Sequence, residues 1–310
     1  MHKFPFIHIS FSLAEEEERI AWDQFVKEVF SPRLMYEVLS SPEATKLGLD
    51  RHQTLFAIGN TVIYAAAPAG NGLRSDSTIG NMLRSRAKPN AWVGIAIGVS
   101  DLDVAREWVC ERGWSPTSYP LLEDRYFLVD RNEILGMRLE FLTGDLANDP
   151  RLAAGWDPYW WRDEHPLGLE GLQSIGVSTK SLDAARTIFS HKLGWREISS
   201  RVTDEARCAS FLIGDAIVEA MEPIDPNSEL GVHASAANGI WCLNFQVRSA
   251  REAADYLESK GLRLLGERHR HFLIDPKQAF GRQLRFTEER VSGYPDIPIP
   301  SLVTTPAELE

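Results

Sequence analysis

Two residues far apart in the sequence, His8 and Glu140, have the side-chain types that acid–base or metal chemistry requires. An imidazole with its ordinary pKa of about 6.5 can donate or accept a proton near neutral pH. A carboxylate can pair with the imidazole, take part in proton transfer, or offer an oxygen ligand to a divalent metal. Both residues fall at strand positions of an internal repeat, so the repeat determines whether they meet.

The repeat is visible in three segments, which begin at Gly94, Ser174 and Cys242. Each contains a short apolar run, a polar turn, an amphipathic helix and a closing glycine. Strand pairs such as "RCASFLIGDAIVEAMEP" and "HQTLFAIGNTVIYAAAP" agree through the turn and the final proline. The strand "HISFSL" from His8 and the helix in "EEEERIAWDQFVKEVF" supply the remaining copy. The sequence therefore predicts an α+β protein with four β-α-β-β-β modules.

Pairing of these modules predicts two domains, at residues 1–147 and 168–295. A chain of 310 residues suits two domains of roughly 150 residues each. The segment 148–167 is rich in Trp and Pro and is interpreted as a linker, and residues 296–310 as a Pro-rich tail.

The composition of the chain disfavours several classes of binding partner. The net charge is −11 without any basic block, which disfavours nucleic acid and anionic membranes as partners. There is no apolar run of about 18 residues, so no transmembrane helix is expected. The three cysteines lack CxxC spacing, which argues against a structural zinc site and for a reducing compartment. We expect a cytoplasmic protein that binds a small molecule, and a homodimer is a further expectation.

The four modules, the passage "SLDAARTIFSHKLGWREI" and the closing hairpin "FLIDPKQAFGRQLRF" resemble the vicinal oxygen chelate superfamily. That superfamily includes glyoxalase I, methylmalonyl-CoA epimerase, extradiol dioxygenases and bleomycin-resistance proteins. The resemblance implies that paired modules fold into open, cupped sheets. Four modules in one chain are most similar to the two-domain extradiol dioxygenase layout, with an N-terminal and a C-terminal glyoxalase-like domain.

The resemblance also implies that metal ligands lie on the first and last strand of each module. The internal alignment assigns the first-strand positions to His8, Gly94, Ser174 and Cys242. It assigns the last-strand positions to Tyr64, Glu140, Glu219 and Arg285.

In the N-terminal cup, His8 and Glu140 are the implied ligands of a divalent metal (Fe, Mn, Zn or Ni), with Tyr64 as a weak third. A catalytic metal needs about three protein ligands. Gly94 stands where the extradiol pattern needs its second histidine. The C-terminal cup departs further, since Ser174 and Cys242 replace the histidines and an arginine replaces the glutamate. We therefore expect that the C-terminal metal site is lost.

Together these features predict isomerase, lyase or oxygenase chemistry on a small aromatic or carbonyl-bearing molecule in the N-terminal cup. His8 would be a ligand or base, Glu140 a ligand or acid–base partner, and Tyr64 a hydrogen-bond donor. The alternatives are a metal-free binding or sequestration protein of the bleomycin-resistance type, and a structural or regulatory descendant. In the last case His8 and Glu140 would only bond to each other.

Other candidate residues have two interpretations each. Glu219 and Arg285 are expected to converge as a structural ion pair, or Arg285 binds a substrate carboxylate or phenolate. Trp160 and Trp161 either pack between the domains or form the wall of an apolar substrate pocket. Cys242 is interpreted as a small buried hydrophobe rather than a nucleophile.

Overall fold

The computed structural model describes residues 6–38, 51–68, 91–118, 124–143, 148–213 and 216–294. Within these ranges the chain forms two mixed β-sheets, one of seven strands from the N-terminal half and one of eight from the C-terminal half. None of the helices in these ranges has the length and hydropathy that a membrane crossing needs.

The N-terminal half contains two modules that meet at their first strands. Its sheet has the strand order β2-β3-β4-β1-β5-β7-β6, in which β1 and β5 are antiparallel neighbours. The elements are β1 (Phe6–Ser12), α1 (Glu16–Phe30), β2 (Arg33–Val38), β3 (Arg51–Ile58), β4 (Thr61–Pro68), β5 (Ala91–Val99), α2 (Leu102–Glu111), β6 (Tyr126–Val129) and β7 (Arg138–Thr143).

The C-terminal half repeats this plan in the order β13-β14-β15-β12-β8-β11-β10-β9. A short helix, α3 (Trp160–Asp163), precedes it. The elements are β8 (Leu169–Ser178), α4 (Leu182–Arg186, continued by a π-helical segment at Thr187–Lys192), β9 (Arg196–Val202), β10 (Ala206–Ile213), β11 (Ala216–Pro223), α5 (Glu229–Ser235), β12 (Ile240–Val247), α6 (Ala250–Ser259), β13 (Leu264–Glu267), β14 (His271–Ile274) and β15 (Gln283–Thr287).

Local sequence explains where the module helices begin and end. The side chains of Asp101, Ser181 and Ser249 accept hydrogen bonds from backbone N–H groups in the first turns of α2, α4 and α6. Glycines with positive φ follow each of these helical segments, as predicted: Gly113 (77°), Gly194 (69°) and Gly261 (78°).

The strand pairing reproduces the internal alignment in all four modules. Each predicted last-strand residue is paired with the residue that lies two positions after the predicted first-strand residue. The pairs are Tyr64 with Ser10, Glu140 with Ala96, Glu219 with Gly176, and Arg285 with Asn244. The predicted fold, four paired β-α-β-β-β modules, is confirmed. In the second module, however, the strand after the helix appears in the described residues only as a bridge between Thr117 and Leu128.

A single hydrophobic cluster contains residues from both halves. Phe30 of α1 contacts Phe245 and Phe286, with ring centroids 5.2 and 6.4 Å apart. Trp22 meets Phe280 edge-on at 5.5 Å. The helix of the first module therefore packs on the sheet of the fourth. The limits of the two predicted domains remain a prediction.

Candidate functional site

His8 and Glu140 meet on one face of the N-terminal sheet, the face called here the N-terminal cup. Strand alternation turns His8, Ser10 and Ser12 towards this face, while Ile9 and Phe11 enter the core on the other. His8 and Glu140 are both paired with Ala96, from opposite sides of β5. Because alanine is small, the two long side chains lean over it, and Nε2 of His8 lies 3.4 Å from Oε2 of Glu140.

This pair is largely removed from water. The side chains of His8 and Glu140 are 9% and 19% exposed. Nδ1 of His8 is buried and has no hydrogen-bond partner among the described residues. With Nε2 directed at Glu140, Nδ1 is the ring nitrogen whose hydrogen-bonding capacity is unused among the described residues.

Tyr64 lies beside the pair, with its ring centroid 5.6 Å from that of His8. Its hydroxyl donates to Oε1 of Gln53 at 3.0 Å and accepts from Nε of Arg51 at 2.8 Å. The predicted role of Tyr64 as a donor to substrate would require that its proton leave Gln53. That role remains a prediction.

Burial and nearby charge act in opposite directions on the pKa values of the cup. Burial by itself would raise the pKa of Glu140, but the hydrogen bond and charge of His8 and the charges of Arg138 and Arg51 lower it overall. Burial raises the pKa of Tyr64 to about 12, although the charge of Arg51 opposes this. At neutral pH the site therefore contains the carboxylate of Glu140 and the protonated phenol of Tyr64.

Among the residues that the structure describes, the donor set of the N-terminal cup does not fit a resident divalent metal. A Cβ at Gly94 would lie 2.0 Å from the carbonyl oxygen of Arg138, so the backbone of β7 occupies the space a second histidine would need. No group of three His, Cys, Asp or Glu side chains that could bind a metal occurs within the described ranges. His8 and Glu140 supply two ligands, one fewer than a catalytic site needs.

In the C-terminal cup the predicted partners of two charged residues were wrong. Glu219 is 1% exposed and accepts from Nε and Nη2 of Arg201 at 3.0 and 3.1 Å. Arg285 instead pairs with Glu205, with an Nη2–Oε2 distance of 2.9 Å. Arg201 lies on β9 and Glu205 in the turn after it, outside the positions that the repeat alignment compares. The substrate-binding roles of Glu219 and Arg285 remain predictions.

The side chains at the two first-strand positions of this cup, Ser174 and Cys242, both contact Asn244. Oγ of Ser174 accepts a hydrogen bond from Nδ2 of Asn244 at 2.7 Å. Burial raises the pKa of the Cys242 thiol to about 11, although the charge of Arg285 opposes the shift. A thiol of this kind stays protonated at neutral pH, which agrees with the interpretation of Cys242 as a small buried residue.

The two tryptophans lie between the halves of the molecule. Trp161 is 1% exposed, and its indole N–H donates to the carbonyl oxygen of Phe30 at 2.7 Å. Trp160 packs edge-on against it at 5.3 Å. This placement favours the packing interpretation, and their role as a pocket wall remains a prediction. By contrast, Trp156 contacts apolar side chains of the N-terminal cup.

Arg51 was not among the predicted site residues, although its positive charge counteracts the effect of burial on the pKa values of Tyr64 and Glu140. Arg51 begins β3 in the strand pair whose turn and proline the repeat analysis had aligned. Arg51, Gln53 and Leu55 alternate along β3 and therefore share one face of the sheet. Leu55 is paired with Tyr64, so this alternation was the available signal that Arg51 faces the cup.

The chain is similar to known proteins in part of its sequence and in its fold. Residues 171–275 match the model of the Glyoxalase/Bleomycin resistance protein/Dioxygenase superfamily. A solved mutant of 4-hydroxymandelate synthase from Streptomyces coelicolor is similar over 94% of this chain and 95% of that chain, with 13% identity and a TM-score of 0.67. Methylmalonyl-CoA epimerase from Mycobacterium tuberculosis is 24% identical over 38% of this chain and 87% of that one, with a TM-score of 0.36. No curated protein matches the sequence significantly.

These findings define a protein with the two-domain glyoxalase/dioxygenase-like fold. The match of residues 171–275 to the model of the Glyoxalase/Bleomycin resistance protein/Dioxygenase superfamily, also called the vicinal oxygen chelate superfamily, agrees with the resemblance found in the sequence.

Proposed function

We propose that this protein is an enzyme that moves a proton on a small aromatic or carbonyl-bearing molecule in the N-terminal cup. The observation that carries this proposal is the buried pair of His8 and Glu140, 3.4 Å apart, with Nδ1 of His8 lacking a partner among the described residues. The chemistry is of the isomerase or lyase type, in which a base removes a proton from carbon next to a carbonyl group.

In this proposal Glu140 accepts the Nε2–H of His8 and so directs the lone pair of Nδ1 towards the ligand. Nδ1 takes the proton, and the carboxylate of Glu140 stabilises the imidazolium that results. The lowered pKa of Glu140 keeps it charged for this purpose. The neighbouring arginines, Arg51 and Arg138, supply positive charge next to the negative charge that develops on the ligand oxygen.

The test is deuterium exchange at carbon, followed by NMR in D₂O, with a panel of aryl ketones and 2-oxo acids. We expect catalysed exchange for at least one compound in the wild type. His8→Gln and Glu140→Gln should each lower the rate by about 100-fold, the usual contribution of a general base. His269→Gln, an exposed histidine of the other half, is the matched control and should leave the rate unchanged. Equal rates in wild type and His8→Gln would contradict the proposal.

A metal-free binding or sequestration protein is the second candidate, and the two-donor cup favours it as much as acid–base chemistry. Ligand binding by calorimetry without exchange or turnover would support that alternative. Elemental analysis of wild type and His8→Ala, both purified without a His tag, tests the metal directly. Stoichiometric Fe, Mn, Zn or Ni lost in the variant would refute metal-free chemistry at this site.

The proposal places the chemistry in the N-terminal cup because the ion pairs of Glu219 and Arg285 leave the C-terminal cup without free carboxylate ligands at these positions. Loss of the C-terminal metal site is therefore part of the proposal. A cytoplasmic location and a homodimer, both expected from the sequence, also belong to it. Light scattering after size-exclusion chromatography tests the homodimer.

A further inference from the structure

Arg51 is a charged side chain whose hydrogen-bond partners are all neutral. Its Nε approaches Oε1 of Gln53 at 2.5 Å and the hydroxyl of Tyr64 at 2.8 Å. Its Nη1 is buried and has no hydrogen-bond partner among the described residues. No carboxylate of the described chain forms an ion pair with it. Such a guanidinium is energetically unfavourable, because a desolvated charge needs a countercharge.

Two buried arginines of this protein, Arg19 and Arg151, have such countercharges. Arg19 is enclosed by Glu16, Asp23 and Glu37, and Arg151 by Asp149. The chain as a whole has a net charge of −11, so acids are abundant. The charge of Glu140 lies near enough to Arg51 to interact with it, but Glu140 is directed at His8 and forms no ion pair with Arg51.

The residues around Arg51 indicate what kind of ligand could bind there. Tyr36, Tyr64 and Tyr126 all lie close enough to interact with it electrostatically, and each can offer an aromatic surface. Next to Tyr36 and Tyr64 is a small apolar cluster, formed by Met35, Leu55, Ala57 and Val62, against which Trp156 also packs. A group with an anionic end and an apolar or aromatic body fits these walls.

We propose that Arg51 binds the carboxylate of a small aromatic or apolar carboxylic acid, so that the acid lies in the N-terminal cup beside His8. This inference rests on the proposed function and specifies its substrate class. A guanidinium presents two parallel N–H groups to a carboxylate, which favours an acid over a neutral carbonyl compound. Tyr64 contacts both Arg51 and His8, so an acid bound at Arg51 would lie close to the His8–Glu140 pair.

The test is calorimetric binding of benzoate and phenylacetate, each compared with its neutral amide. We expect saturable binding of an acid by wild type and at least tenfold weaker binding of its amide, because the amide cannot form a charge-assisted pair with the guanidinium. Arg51→Met should weaken acid binding at least tenfold, and Arg51→Lys should have an intermediate effect. Arg248→Met, which removes an exposed arginine of the C-terminal half, is the control and should change the affinity less than twofold, while Arg285→Met tests the C-terminal cup as the alternative acid site.

Unfolding without ligand gives a second readout. Because Arg51 has no acid partner, Arg51→Met should unfold at the same temperature as wild type or higher, whereas Arg19→Met should unfold at a lower temperature. Equal affinity for acid and amide, loss of binding only in Arg285→Met, or no binding of either acid would overturn the inference. The inference would also be overturned if Arg51→Met unfolded at a lower temperature than wild type and Arg51→Lys kept the wild-type affinity for the acid. Arg51-dependent binding without proton exchange would refute only the proposed chemistry.

Discussion

The ion pair between Glu219 and Arg201 allows a directional prediction about the C-terminal cup. Glu219 has a side-chain exposure of 1%, while that of Arg201 is 49%. Removing Arg201 should therefore have a different consequence from removing Glu219. If Arg201 is changed to Met, a carboxylate remains in the interior with only the long contact from Ser210 at 3.4 Å. If Glu219 is changed to Gln, the arginine that remains can turn to water.

The magnitudes follow from this asymmetry. Leaving a buried charge without its partner costs about 3–5 kcal/mol of unfolding free energy, and we expect this for Arg201→Met. Glu219→Gln should cost about 1–2 kcal/mol, the loss of a charged hydrogen bond to a group that water can reach. Arg207→Met is the control. Arg207 of β10 pairs with Glu222 of β11, the strand that also carries Glu219, but Arg207 is 58% exposed, so the cost should be about 0–1 kcal/mol.

The assay is urea unfolding followed by tryptophan fluorescence and circular dichroism, with differences taken between variants. The reasoning is refuted if Glu219→Gln destabilises the protein as much as Arg201→Met does. It is also refuted if Arg201→Met is no worse than Arg207→Met, because the exposure difference between the partners would then have no energetic consequence.

Three further predictions follow from single contacts. Asn60→Ala should lower the unfolding free energy by about 1–3 kcal/mol, because the amide of Asn60 forms two hydrogen bonds with the backbone of Leu172 in the other half. Equal denaturation curves for wild type and variant would contradict this. Gly94→Ala should reduce the yield of folded protein, since its Cβ would lie 2.0 Å from a carbonyl oxygen, and a stable variant would show that β5 and β7 can separate. For Glu140, whose folded-state pKa is lowered, ionisation stabilises the fold above its unfolded pKa of about 4.3, and this contribution disappears as pH falls through the lower folded pKa. The stability difference between wild type and Glu140→Gln should therefore shrink on acidification below about pH 4, and a difference that grows would contradict this assignment.

Much of the architecture could be predicted because it depends on local patterns that recur. Apolar alternation, helix caps and closing glycines act over a few residues, and each recurs in more than one module. The alignment of modules therefore gave the correct strand register, and it brought His8 and Glu140 to the same place.

Local periodicity is enough to predict the four modules and the strand positions of the candidate site, because backbone hydrogen bonding follows from it. Which charges pair depends on the complete fold. Glu219 binds Arg201, and Arg285 binds Glu205, because side chains reach across strands and turns to whichever charge lies nearest in space. The same holds for Arg51, which no strand pattern marks as lacking a countercharge. That property depends on every side chain around it, and these are brought together only when the sheet has formed.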